Sequence, residues 1–213
     1  MKKLCLVAIL GVFTFTTAFS QIKYCLSYVD FKANRWIPLD TIHLTEYIPK
    51  KKYDTKPYNI TLTTGDKTVD KILKKDAFVV MYNDTILINR RNMVLDGRVL
   101  GNGYTRALHF GEKGLCFLSA KVGVPISVGL LIFPHIGGAW AMASYDSGNM
   151  RCYFVERELP NGKIEIITID DTFMERFEAK NPNVYQAYKE MKRLERTNGH
   201  RILQLLWDWK IVW

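Results

Sequence analysis

Histidine and cysteine are scarce in this chain, with four of each among 213 residues, and neither type clusters. His43, His109, His135 and His200 stand far apart with no paired spacing, so the close ligand pairs of a zinc site are missing and no metal is expected. The chain contains no Gly-x-Ser-x-Gly turn, the usual mount for a serine nucleophile. Gly65-Asp66-Lys67-Thr68 lacks the leading glycine of a phosphate loop and puts Asp between Gly and Lys. Gly101-Asn102-Gly103 opens no helical pattern and reads as a loop before a strand. No cofactor and no catalytic residue are therefore assigned. Asp170-Asp171 with Glu175 would make paired carboxylates, yet they stand where a helix N-terminus favours negative charge, and capping explains them more simply.

Acidic residues are also in deficit: 21 Asp and Glu face 30 Lys and Arg, a formal charge of +9. The positive residues are scattered, and only Lys50-Lys51-Lys52 and Lys74-Lys75 are dense. Lys2 and Lys3 precede Leu4 to Thr16, an uncharged stretch rich in Leu, Val, Ile and Phe, and Ala18-Phe19-Ser20 offers small residues where a signal peptidase reads. The run is shorter than the roughly 20 residues that span a bilayer. The sequence thus predicts a cleavable signal peptide over 1–20, and a single α+β domain over 21–213 that is periplasmic or associated with the outer membrane. Cys5 lies too early for a lipoprotein anchor, and Cys25 lacks the small, apolar approach such an anchor needs. Losing Lys2 and Lys3 takes the charge from +9 to +7. An exported basic chain points to an envelope protein, anionic lipid or acidic glycan as partner, and away from nucleic acid.

Cys25, Cys116 and Cys152 remain after cleavage, an odd number that rules out a complete disulfide framework. Cys116 and Cys152 lie in strand-like runs on either side of one long apolar connection. They are candidates for a single bridge, with buried free thiols as the other reading.

Thr41 to Thr45 and Asn59 to Thr63 alternate in the manner of half-buried strands. Asp66 is placed to cap a short amphipathic helix over 67–75, where Val69, Ile72 and Leu73 share a face. Three hairpins follow. Phe78–Tyr82 and Thr85–Asn89 flank the turn Asn83-Asp84; Thr105–Phe110 pairs with Leu115–Ser119; and Arg151–Leu159 pairs with Lys163–Ile169. After Asp170-Asp171 the period becomes helical, with Thr172 to Glu175 as a capping box. A second helix carries Val184, Ala187, Tyr188, Met191 and Leu194 on one face and ends at Asn198-Gly199. In the last stretch Ile202, Leu205, Leu206 and Trp209 keep helical spacing, while Trp207, Trp209, Ile211 and Trp213 alternate; its opening Leu and Gln content favours helix. The fold class is α+β, an antiparallel sheet of successive hairpins followed by C-terminal helices.

The connection Val122 to Tyr145 has no charged residue in 24 positions. Pro125, Pro134, Gly137 and Gly138 interrupt it, so it reads as a core segment with a small-residue helix over about 137–145. The competing readings are a membrane-contacting hairpin or a surface for a partner. Trp140, Trp207, Trp209 and Trp213 are the candidate contact residues, since indole suits an interface.

The motifs Thr64-Gly65-Asp66-Lys67, Asp70-Lys71-Ile72-Leu73-Lys74-Lys75, Tyr82-Asn83-Asp84-Thr85 and Gly101-Asn102-Gly103-Tyr104 resemble a family of exported proteins from Bacteroides-type bacteria, a domain of unknown function, over about Asp40 to Leu206. The resemblance implies export and a single domain and brings no catalytic residues. Asp40-Thr41-Ile42 and Asp84-Thr85-Ile86 are similar to the Asp-Thr-apolar O-glycosylation acceptor described for that bacterial group, which makes Thr41 and Thr85 candidates. The expectation is a cell-envelope protein with a binding role. The alternative is an enzyme or carbohydrate-binding module whose site is assembled from distant residues.

Overall fold

The computed structural model describes residues 22–47, 59–120, 135–136, 139–140 and 150–213. The expected signal peptide and most of the uncharged connection lie outside the described residues. β1 (Lys23–Cys25), α1 (Tyr28–Lys32) and β2 (Ile37–Pro38) are followed by the antiparallel pair β3 (His43–Tyr47) and β4 (Asn59–Thr63). Then come α2 (Lys67–Lys75), β5 (Val79–Tyr82), β6 (Thr85–Asn89), a 3-10 turn (Arg90–Asn92), β7 (Met93–Leu95) and β8 (Arg98–Val99). β9 (Tyr104–Phe110) and β10 (Gly114–Ala120) form a hairpin, and the short β11 (His135–Ile136) and β12 (Ala139–Trp140) pair with each other. β13 (Met150–Glu158) and β14 (Ile164–Thr168) precede α3 (Asp171–Glu178), α4 (Pro182–Glu190), α5 (Arg193–Arg196) and α6 (Gly199–Asp208).

The main sheet runs β2-β1-β5-β6-β9-β10-β13-β14-β7-β8, and β4 touches β9 at Ile60 and Tyr104. Its pairs are antiparallel except β14 with β7. The fold is α+β, as the hairpin pattern and final helices predict. Only the 3-10 turn joins β6 to β7, although β9, β10, β13 and β14 stand between them in the sheet. Five flat strand spacings would separate them by about 24 Å, while four peptide units reach about 14 Å. The sheet therefore curls strongly.

Its concave face holds one cluster, with Val79, Ile86, Ile88, Met93, Leu115, Phe117, Tyr153, Val155, Ile164 and Ile166 at its centre. The alternate residues face outward into two further clusters. Val80 and Leu87 pack with Ile60, Leu62 and Leu73, beneath α2. Leu108, Cys116, Leu118 and Cys152 pack with Phe173, Val184, Tyr188, Ile202 and Leu206 of the C-terminal helices. Burial on both faces explains the apolar runs Val79-Val80, Ile86-Leu87-Ile88 and Leu115-Cys116-Phe117-Leu118.

Polar groups fasten the covers. Asn89, 1 % exposed, donates from Nδ2 to the carbonyls of Leu73 and Ala77 at 3.2 and 3.0 Å, and Tyr104 donates its hydroxyl to Leu73 at 2.5 Å, so the C-terminal end of α2 is satisfied by the sheet. Glu158 accepts the backbone N–H groups of Tyr28 and Val29 at 3.0 and 3.2 Å, which holds α1 against the end of β13.

The turn Asn83-Asp84 has positive φ at both residues, 46° and 58°, as a two-residue hairpin requires. Several expectations are corrected. The N-terminal stretch also contains α1, capped by Ser27, which the sequence pattern did not mark. Asp170, not Thr172, caps α3, accepting from the Phe173 N–H. The single helix expected from Val184 to the Asn198-Gly199 stop is two, because Met191 and Lys192 adopt extended backbone; this leaves Leu194 83 % exposed instead of on a buried stripe. Asn198 does not end that helix but caps α6, accepting from His200 and Arg201. α6 ends at Asp208, and the chain then extends so that Val212 bridges Phe110. Within the helix expected over 137–145, Ala139–Trp140 is a strand, and the other positions lie outside the described residues.

Gly199 lets α6 meet the backbone of β13: a Cβ there would sit 2.6 Å from the Arg151 carbonyl carbon. Gly199→Ala is expected to destabilise the fold by about 1–3 kcal/mol through overpacking, read as a lower urea midpoint.

Candidate functional site

Where β13 and β7–β8 meet the start of the helices, a cleft of about 600 Å³ opens. The Asp96-Gly97 turn, with φ of 49° and 76°, reverses the chain between β7 and β8 and sets Asp96 and Arg98 on one side. Arg151 comes from the first turn of pairing on β13, opposite Ser119 of β10, and donates from Nη1 to the Met150 carbonyl at 3.1 Å. Thr168, Ile169 and Asp170 line the floor as β14 passes into α3. Arg196 and Thr197 enter from the end of α5.

Arg196 is the best fixed of these groups. Its Nη1 donates to Asp171 Oδ1 at 2.9 Å, and its guanidinium lies 5.7 Å from the ring centre of Tyr188, whose hydroxyl donates to the same carboxylate oxygen at 2.7 Å. Burial and the Asp171 charge push the Tyr188 phenol well above its ordinary value, so it stays a donor. Arg196 Nε is buried and finds no hydrogen-bond partner among the described residues. Asp170 caps α3 through one oxygen, Oδ1, whereas Asp96 and Arg98 are exposed and in no ion pair among the described residues. The cleft thus offers three guanidinium groups and two carboxylates, a mixture of strong donors and strong acceptors.

Nothing local in the sequence marks this cleft. Arg98, Arg151 and Arg196 belong to three separate elements, and only Asp170 was noticed, correctly, as a cap. A second hollow of about 310 Å³ lies between β4 and α2, lined by Ile60, Leu62, Tyr104, Asp70, Lys74 and Arg91. Among the described residues no three His, Cys, Asp or Glu converge as metal ligands. No helix there is long and apolar enough to cross a membrane.

Of the residues singled out from sequence, Cys116 and Cys152 are brought together. They are fully buried free thiols on the same face of adjacent strands, hydrogen-bonded to each other, and burial raises the Cys116 pKa well above the ordinary value. Cys25, equally buried, is pushed up to about 12. Trp207 is half-buried against the helical cluster, while Trp209 and Trp213 are 44 % and 53 % exposed. Trp140 stands on β12, and its side chain lies outside the described residues. Thr41 is exposed ahead of β3; Thr85, half-buried, opens β6 and donates to the Asn83 carbonyl at 3.5 Å. Tyr24 and Tyr28 are core residues.

The Trp213 ring stacks on His109 at 5.5 Å, and His109 stacks in turn on Phe31 of α1 at 5.9 Å. The Trp213 backbone is tied to the same residue, His109 N–H donating to the Trp213 carbonyl at 3.1 Å.

A family model described as "Family of unknown function (DUF6563)" matches residues 23–210. The chain belongs to this family. No curated protein and no solved structure matches it. The match takes in the whole main sheet and α1 to α6, so family members are expected to share the curl and its two covers.

Two predictions follow from burial. Cys25, Cys116 and Cys152 in protein purified under reducing conditions should resist alkylation when folded and all react on unfolding, as peptide masses would report. His109 and His200 are held below the ordinary histidine value of 6.5 by burial. A depressed folded value means the unfolded chain takes up protons first, so this stability is complete above 6.5 and is lost as the pH falls toward the folded values. The urea midpoint should therefore drop as the pH falls below about 6.5, and the double variant His109→Phe, His200→Gln should flatten that slope.

Proposed function

We propose that this is an exported cell-envelope protein whose role is binding, and that it docks on an anionic lipid surface through the Trp209–Trp213 end of the molecule. The observation that carries the reading is the exposure of two indoles, 44 % and 53 %, on a tail pinned to the sheet by the Val212 bridge and the His109 stack. Indole exposed on a rigid base suits the headgroup region of a bilayer, where its apolar body and N–H are both satisfied. α1, whose Phe31 closes the stack, also exposes Val29 at 51 %. The net positive charge, +7 after loss of the first twenty residues, adds long-range attraction to anionic headgroups. Export rests on the Lys2-Lys3 start, the apolar stretch behind it and the Ala18-Phe19-Ser20 cleavage pattern.

The test uses the mature chain, residues 21–213. It is expected to sediment with phosphatidylglycerol-containing vesicles at low salt, with a blue shift in tryptophan emission, and not with phosphatidylcholine vesicles. Trp209→Ser with Trp213→Ser should weaken binding by about tenfold or more. Equal binding by that variant, or none by the parent chain, would remove the lipid reading. Envelope protein recovered from its native host should begin at Gln21; a retained Met1 would remove export.

A further inference from the structure

We infer that the cleft between β7–β8, β13 and α5 binds an anionic carbohydrate, a sugar carrying a carboxylate, with its oxyanion on the arginines and its hydroxyls on Asp96 and Asp170. The inference concerns a different part of the molecule from the lipid-docking end. His109, under Trp213, pairs with Leu115 of β10, whereas Arg151 pairs with Ser119, four residues further along that strand, about 13 Å away.

Three features point to this class of ligand. The volume of about 600 Å³ suits one or two sugar rings. Arg98, Arg151 and Arg196 line the cleft from three separate elements, and the guanidinium fork matches a carboxylate or phosphate. Arg196 is held in place by Asp171 and Tyr188 and still has a buried Nε without a partner among the described residues. The two carboxylates then discriminate between oxyanions. An ionised Asp only accepts hydrogen bonds, so Asp96 and Asp170 repel a bare phosphate dianion but accept readily from sugar hydroxyls. A ligand that carries one carboxylate and several hydroxyls satisfies both sets of groups. Thr168 and Thr197, which also line the cleft, add hydroxyls able to act in either sense.

The experiment is calorimetric titration of the mature chain with digalacturonate, with the neutral disaccharide cellobiose and with inorganic phosphate. Digalacturonate is expected to bind, and cellobiose and phosphate to bind at least about tenfold more weakly. Arg98→Ala, at an exposed position that leaves the core untouched, should reduce digalacturonate affinity by about tenfold with an unchanged circular dichroism spectrum. Asp96→Asn separates the two oxyanion sources: it should weaken digalacturonate binding, because sugar hydroxyls lose an acceptor, and strengthen phosphate binding, because a repelling charge is gone. No binding of digalacturonate, equal binding by Arg98→Ala, preference for phosphate, or equal affinity for cellobiose would each overturn the inference. Trp209→Ser with Trp213→Ser should leave digalacturonate affinity unchanged, which keeps this result independent of vesicle binding.

Discussion

The short link between β6 and β7 is the constraint from which the rest of the architecture follows. Three residues, Arg90–Asn92, cannot reach across four intervening strands unless the sheet rolls up, and rolling creates a concave face that only apolar side chains can fill. Asn89 stands at the start of that link. Its side chain donates to the Leu73 carbonyl of α2 and the Ala77 carbonyl just past that helix, and accepts the Arg91 N–H at 3.1 Å, so one buried amide both starts the turn and anchors the cover above it. With the inner face closed by curvature, the outer face needs two separate covers, α2 on one side and α3, α4 and α6 on the other. The parallel pair β14–β7 is a product of the same roll, since β7 arrives at the far edge by the short link and not by a hairpin.

Local chemistry was legible in the sequence wherever it is decided within a few residues. The Asn83-Asp84 turn, the Asp66 cap and the three hairpins depend on positive φ, on capping hydrogen bonds and on apolar runs, and the structure has each of them. What escaped was decided over distance. α1 is five residues long and owes its place to Glu158, 130 residues away, which no periodicity could reveal. The break at Met191 and Lys192 was hidden because Leu194 continues the apolar spacing of α4, yet the backbone turns away and leaves that side chain in solvent. Asn198-Gly199 was read as a stop and is a start, since Asn caps either kind of boundary and only the packing of Gly199 on β13 decides which.

The cleft was illegible for a related reason. Arginine is common on surfaces, and Arg98, Arg151 and Arg196 look alike from sequence; only the curl carries β8 to the start of β13, and only the α4–α5 break turns Arg196 back toward it. The irregularities that defeated the reading of the helices are thus the ones that shape the site. The tryptophans were visible as candidates from composition, and the structure divides them: Trp207 packs inward, and Trp209 and Trp213 point outward.

The bond from Glu158 to α1 also imposes an order of assembly. A chain emerging N-terminus first presents α1 long before residue 158 exists to receive it, so β1 can pair with β2 and β5 while the first helix waits unlatched and two hairpins form behind it. Such long-range closure makes the topology slow to complete, and β10 stays an unpaired edge until β13 arrives. A holdase that shields nascent edges would therefore act on this chain midway, after β10 and before β13 and the helices that finish it are made.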